Sequence, residues 1–327
     1  MRILHSAVRR GLGACWRASA PLTVAAGLFV PLVLLAGLGL VVDGRRITEG
    51  PVWLKPAKFA ISSGVYCLTL AAVFARAGRT SRLMGLAGWV IAVSLVLEVG
   101  IVDFQAVRGI KSHFNVSSPL NASLWAAMGL GILALLAASL AVTAELFRLP
   151  IADPAWAWML RLGMLVTVLG SMTGGLMTQP TARQLAAAGA AGGTMPTVGA
   201  HTVGGPDGGP GMPLTGWSRD HGDLRVAHFC GLHAIQAIPL LAVLGAWGLR
   251  LRSGRGRLAL VAVVAASYAG LIVLLTVQAL GGRPTLGGDP ASLRHLDFWA
   301  AATLLGVAAV LVQDRSRVGQ PSMAMGG

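Results

Sequence analysis

Charge is scarce in this chain, and cysteine and lysine are scarcer still. Charged residues fill 12% of 327 positions, against about 25% in soluble domains, so a water-facing shell of ordinary size is excluded. The three cysteines, Cys15, Cys67 and Cys230, are scattered with no CxxC, which argues against a disulfide framework or a cysteine-built zinc site. Lysine occurs only three times, at 55, 58 and 111, so arginine supplies nearly all of the basic charge and points to a GC-rich bacterial genome. The net charge is +14, yet no basic stripe interleaves with aromatics, and nucleic acid is therefore not an expected partner. The glycine-rich stretch 204–211 lacks the Gly-Lys-Ser/Thr ending of a phosphate loop.

What the chain does have is apolar length. Hydrophobic residues make up 55% of it and the mean hydropathy is +0.71, a membrane composition. Residues 1–20 carry Arg2, Arg9, Arg10 and Arg17 among small apolar residues and read as a basic leader at the membrane surface. Leu12-Gly13-Ala14-Cys15 mimics a lipoprotein cleavage box, but basic residues precede it where an apolar segment should stand, so the match is taken as chance. The apolar run 21–42 is longer than a signal-peptide core of about 7–15 residues and reads as an uncleaved first span. Further spans are expected over 56–76, 83–104, 121–147, 155–177, 224–250, 258–280 and 293–312. The fifth contains Gly170 and Gly174, a spacing that lets helices approach closely. Pro239 is expected to kink the sixth.

The fold class is thus an all-α polytopic transmembrane bundle over 21–314, with a short disordered tail over 315–327. The bundle includes a Gly/Pro-rich loop at 178–223, in which 184–193 reads as a short interfacial helix. Eight spans put both termini on one side. That side collects 14 basic residues against 11 on the other, which favours termini in the cytoplasm of a bacterial inner membrane. Every loop rich in unusual residues then lies on the outer side.

Polar groups within spans need a reason, because a charge there costs about 2.5–3.5 kcal/mol on insertion scales. Lys58, Ser62, Tyr66 and Thr69 form a stripe on one face of span two, ordinarily a sign of helix-to-helix hydrogen bonding, and Lys58 alone can snorkel. In span three Glu98 lies roughly 7 Å outward of the middle, deep enough to demand pairing or a wet cavity, whereas Asp103 sits near the interface. His228 and His233 enter span six five residues apart, about 140° around a helix, so they do not face one ion squarely. Tyr66, Glu98, His233 and Gln236 come out at comparable depth, which suggests a pocket shared between helices. His113 and His295 at the outer ends read first as solvated loop or cap histidines, although with His201 and His221 they make several imidazoles on one face, which also suits haem iron, copper or zinc.

The stretches WLKPAKF (53–59), QAVRGIKSHFN (105–115), HTVGGPDGGPG (201–211) and GDLRVAHFCGLHAIQ (222–236) resemble a group of uncharacterised bacterial multi-pass membrane proteins. The resemblance covers most of the spans and implies the class without an activity. Three functions stay open on the residues. The first is a metal- or haem-dependent redox enzyme, with His228, His233 and His113 as ligands, Glu98 as proton donor or acceptor, and Tyr66 and Gln236 positioning substrate. The second is a proton-coupled transporter using Glu98 and His233. The third is a structural or assembly subunit. Lys58, Asp103, Arg108, Arg219 and Arg225 are candidate contacts for a substrate or anion. The expected partners are the lipid bilayer and a small-molecule or lipid substrate from the outer side.

Overall fold

The structure, a computed structural model, describes residues 2–48, 50–78, 81–209, 211–285 and 289–318. Helix α1 (Arg2–Ala18) precedes α2 (Ala20–Val42), and a two-strand hairpin, β1 (Arg46–Ile47) with β2 (Gly50–Pro51), leads to α3 (Leu54–Ala77). Then come α4 (Arg82–Val107), α5 (Pro119–Arg148), α6 (Pro154–Met177) and the short α7 (Ala182–Ala190). Strands β3 (Thr202–Val203) and β4 (Gly222–Asp223) pair antiparallel before α8 (Leu224–Leu232), α9 (Ala234–Gly248), α10 (Gly254–Leu280) and α11 (Pro290–Val318). Among the described residues, seven helical stretches are long and apolar enough to cross a membrane, and α8 with α9, bent by 65° at their junction, pass the same test as a pair. The protein is an all-α multi-pass membrane bundle.

Helix starts follow local chemistry. Ser81, Ser118, Asp153 and Ser253 accept a backbone N–H of the first turn of α4, α5, α6 and α10. Thr181 and Gln184 form a reciprocal capping box at α7, which falls where the interfacial helix was expected. Helix α1 packs on α2 and α3, and its Cys15 is buried as part of the main core cluster; the cysteine is a packing residue. Helix α11 runs on to Val318, so the expected tail begins as helix, and 319–327 lie outside the described residues.

The break in span six departs from the expectation of a kink at Pro239. Pro239 sits inside α9, and the bend falls at His233, between α8 and α9. Its causes are tertiary. Gly170 of α6 and Gly231 of α8 touch backbone to backbone, so a Cβ on either would overlap the other helix. The groups that the break frees are answered by neighbours: the Ile235 N–H donates to Thr167 Oγ1 at 2.9 Å, and Tyr268 Oη donates to the Cys230 carbonyl at 2.8 Å. The Gly170/Gly174 pattern works as read, with α8 as its partner; Gly174 faces the His228 ring.

The loops at one end of the bundle lock into a single cap. Arg45 donates to the Val107 carbonyl at 2.9 Å. Val116 N–H donates to Pro196 and Val198 N–H to Phe114, at 3.0 and 2.8 Å. Leu224 N–H donates to His201 at 3.0 Å. Gly199, at φ 105°, passes so close to the Met177 carbonyl that a side chain would not fit. At the opposite end, Asp314 accepts from the Arg252 and Ser253 backbone, and Arg161 donates to the Leu146 and Leu149 carbonyls at the end of α5.

Candidate functional site

Under the cap, the segment between α4 and α5 turns inward and delivers His113. The turn is tight enough to put Phe114 at φ 62°, a left-handed conformation unusual for a bulky residue. His113 is therefore not a solvated loop histidine: its side chain is 16% exposed. Its Nε2 lies 3.4 Å from Glu98 Oε1, and its Nδ1 is 3.2 Å from Ser112 Oγ. The ring is walled by Phe59, Phe114, Trp125 and His201, with centroids 5.4–6.5 Å away. The second Glu98 oxygen, Oε2, is buried without a hydrogen-bond partner. Closing the 3.4 Å gap to an ordinary hydrogen bond takes about 0.5 Å of movement.

His201 stands behind His113 and is likewise tucked in. Its backbone N–H and Nδ1 both reach Asp207, at 2.9 and 3.1 Å, and Thr202 N–H adds a third contact at 2.8 Å. Burial pushes the His113 imidazole well below the usual histidine range, and the Lys55, His201 and His228 groups around it push the same way. Burial lowers His201 too, against the hydrogen bond and charge of Asp207 and with help from Arg225 and Lys55. Burial works against the charge of Asp207, but its hydrogen bonds from His201 and from the His201 and Thr202 backbone hold it below the usual carboxylate range. Both imidazoles are thus neutral near pH 7, with the His201 proton assigned to Nδ1 by its carboxylate partner. Glu98, His113, His201 and Asp207 form a file of ionisable groups running from within span three into the cap.

The other expected site residues go elsewhere. His228 meets Thr173 Oγ1 at 3.3 Å, on the α6 side. His233 meets Ser62 Oγ of α3 at 2.7 Å and stacks near Phe229, with centroids 4.5 Å apart. No group of three His, Cys, Asp or Glu among the described residues is placed to hold one metal ion, so His228, His233 and His113 are not gathered as a ligand set. Tyr66 pairs with Ser139 of α5 at 3.4 Å, and the buried Gln236 amide lies beside His233, its Nε2 donating to no acceptor. Comparable depth therefore does not bring Tyr66, Glu98, His233 and Gln236 into one bonded cluster.

The expected anion contacts are also dispersed. Lys58 donates to the Thr215 carbonyl at 2.5 Å. Arg108 is held by Gln105 and Asn121 at 2.6 and 3.0 Å, and Arg225 by Asp223 and the Gly216 carbonyl at 2.5 and 2.7 Å. Asp103 is half-buried with Oδ1 unpartnered, while Arg219 and His295 are exposed. Sequence reading passed over Lys55, whose ammonium lies 5.4 Å from the Phe59 ring, and the Asp207 that fixes His201. The i,i+4 spacing of Lys55 and Phe59 was the available signal for the former.

No family model, curated protein or solved structure matches the chain. The kinship suggested by the four sequence stretches stays an expectation, and function must be argued from the site.

Proposed function

We propose that the protein is a proton-coupled transporter of a small solute, in which Glu98 and His113 exchange the proton. The observation that carries this is the Glu98–His113 contact: a buried carboxyl of a spanning helix at 3.4 Å from an imidazole that the cap keeps neutral. An intramembrane carboxyl paired with histidine is the usual form of a proton relay in transporters. The broken sixth span supports the reading, since discontinuous helices mark substrate and ion sites in secondary transporters. His233, expected to be the partner of Glu98, is instead engaged by Ser62; His113 takes its place. The 14-to-11 bias of basic residues supports a cap on the outside of a bacterial inner membrane with both termini inside.

Reconstituted in liposomes, the protein takes up a solute from a panel of labelled small polar molecules when the proton gradient is directed inward. A protonophore and Glu98→Gln each abolish that uptake. Uptake that is indifferent to the gradient and to Glu98→Gln overturns the reading.

The metal- or haem-dependent enzyme stands second. It is favoured by the buried, neutral imidazoles of His113 and His201, whose centroids are 6.5 Å apart, and opposed by the Lys55 ammonium nearby, which repels a cation. A Soret band or stoichiometric copper, iron or zinc in the purified protein, lost on His113→Ala, would move it to first place.

A further inference from the structure

A second polar pair lies away from the Glu98–His113 file. Ser62 Oγ and His233 Nε2 are 2.7 Å apart, which is the contact a serine nucleophile makes with its general base. Both residues are half-buried, and the apolar side chains beside them, Ile61, Val65 and Phe229, are 46–51% exposed on the outside of the bundle. The pair therefore opens toward lipid rather than into the core. Gln236, one turn beyond His233, has its amide beside the imidazole, and its buried Nε2 donates to no acceptor. Helix α9 starts at Ala234, so its positive end lies at the same break. One turn toward the cap from Ser62, about 6 Å along the helix, stands Lys58. Its ammonium gives one donor to the Thr215 carbonyl and keeps two others.

We infer that Ser62 and His233 are the nucleophile and base of a hydrolytic site for the acyl ester of an anionic phospholipid, entered sideways from the bilayer. The vertical order fits that substrate: Lys58 at the level of the phosphate, Ser62 one turn deeper at the level of the ester. The Ser62 hydroxyl proton moves to His233 Nε2 while Oγ bonds to the acyl carbon, and the carbonyl oxygen takes up the electron pair. Gln236 Nε2–H and the start of α9 stabilise that oxyanion. Collapse breaks the bond between acyl carbon and glycerol oxygen, and the glycerol oxygen takes the proton from His233. Water then attacks the acyl-serine, gives its proton to His233, and releases the fatty acid as Ser62 Oγ recovers a proton. No electron is gained or lost. The site shares no residue with the proton-coupled reading and stands or falls without it.

The test uses the full chain in detergent, a fluorophosphonate probe, and vesicles of dioleoyl-phosphatidylglycerol or dioleoyl-phosphatidylcholine. The expected result is probe on Ser62, found by peptide mass and absent in Ser62→Ala and His233→Gln, each checked for wild-type elution on size exclusion. Oleate is released from phosphatidylglycerol faster than from phosphatidylcholine by on the order of tenfold, the worth of one charge-assisted contact, and Lys58→Gln removes the preference. An unlabelled Ser62 in folded wild-type protein, labelling that survives Ser62→Ala, or no oleate from either vesicle overturns the hydrolytic site. Equal release from both vesicles overturns the anionic-lipid assignment.

Discussion

Thr167 Oγ1 accepts the Ile235 backbone N–H at 2.9 Å while its own proton goes to the Gly163 carbonyl at 2.9 Å. One hydroxyl on α6 thereby answers the donor that the bend in span six sets free. Thr167→Val keeps the volume and removes the acceptor, leaving a buried N–H unanswered at a cost of about 1–3 kcal/mol. The melting temperature in detergent falls by several degrees. Thr143→Val, which removes only a bond back along its own helix to the Ser139 carbonyl, leaves it nearly unchanged. An equal fall in both variants would contradict this account of the break.

The same break depends on Gly170 and Gly231 meeting without side chains. Gly170→Val forces α6 and α8 apart and destabilises by roughly 1–3 kcal/mol or more. Gly175→Ala, where a Cβ meets nothing within 4 Å, is neutral or stabilises by up to about 1 kcal/mol through helix propensity. Thermal unfolding of the two variants side by side checks the contrast.

These contacts show what could be read in advance. The spans were legible because each is a long apolar run. The bend was not, since the visible candidate, Pro239, is accommodated inside α9. The groups that make the bend, Gly170, Thr167 and Tyr268, lie on two other helices. Glu98 announced itself as a charge within a span. Its partner His113 looked like a loop residue because its burial comes from the 195–201 segment folding over it, a contact between distant stretches that no local pattern carries. Ser62 was visible only as part of a polar stripe, and its pairing with His233 spans 171 positions.

The cap is held by Asp207, which accepts from both His201 and Thr202 backbone N–H groups. Asp207→Ala orphans these donors and loosens the segment over His113. Limited trypsin digestion at Arg183 and Arg219 in the same loop then accelerates several-fold, while the exposed Asp220→Ala changes it little. Unchanged digestion in Asp207→Ala would show that the cap is held elsewhere.

The buried histidines of the cap fix a pH dependence. His113 and His201 have folded-state values below 6.5, so between those values and 6.5 the unfolded chain binds more protons than the folded one. The part of the stability linked to these two imidazoles is therefore full above 6.5 and declines as pH falls below it. Asp207, held below 3.8, adds stability that is lost only at lower pH and does not enter this window. Below pH 6.5 the melting temperature of the wild type should fall more steeply with pH than that of His113→Gln, and above pH 6.5 the two should run parallel. Parallel curves for the two proteins below pH 6.5 would contradict the burial of a neutral His113.

In the proposed transporter, Glu98 and His113 take up and release a proton through the cap. A pH jump applied to the cap side of proteoliposomes on a solid-supported membrane reads this without knowing the solute, because a charge entering the membrane field gives a transient current. The account predicts a transient in the wild type on stepping from about pH 8 to about pH 6, smaller in His113→Gln and absent in Glu98→Gln. A transient of wild-type size in Glu98→Gln would contradict it.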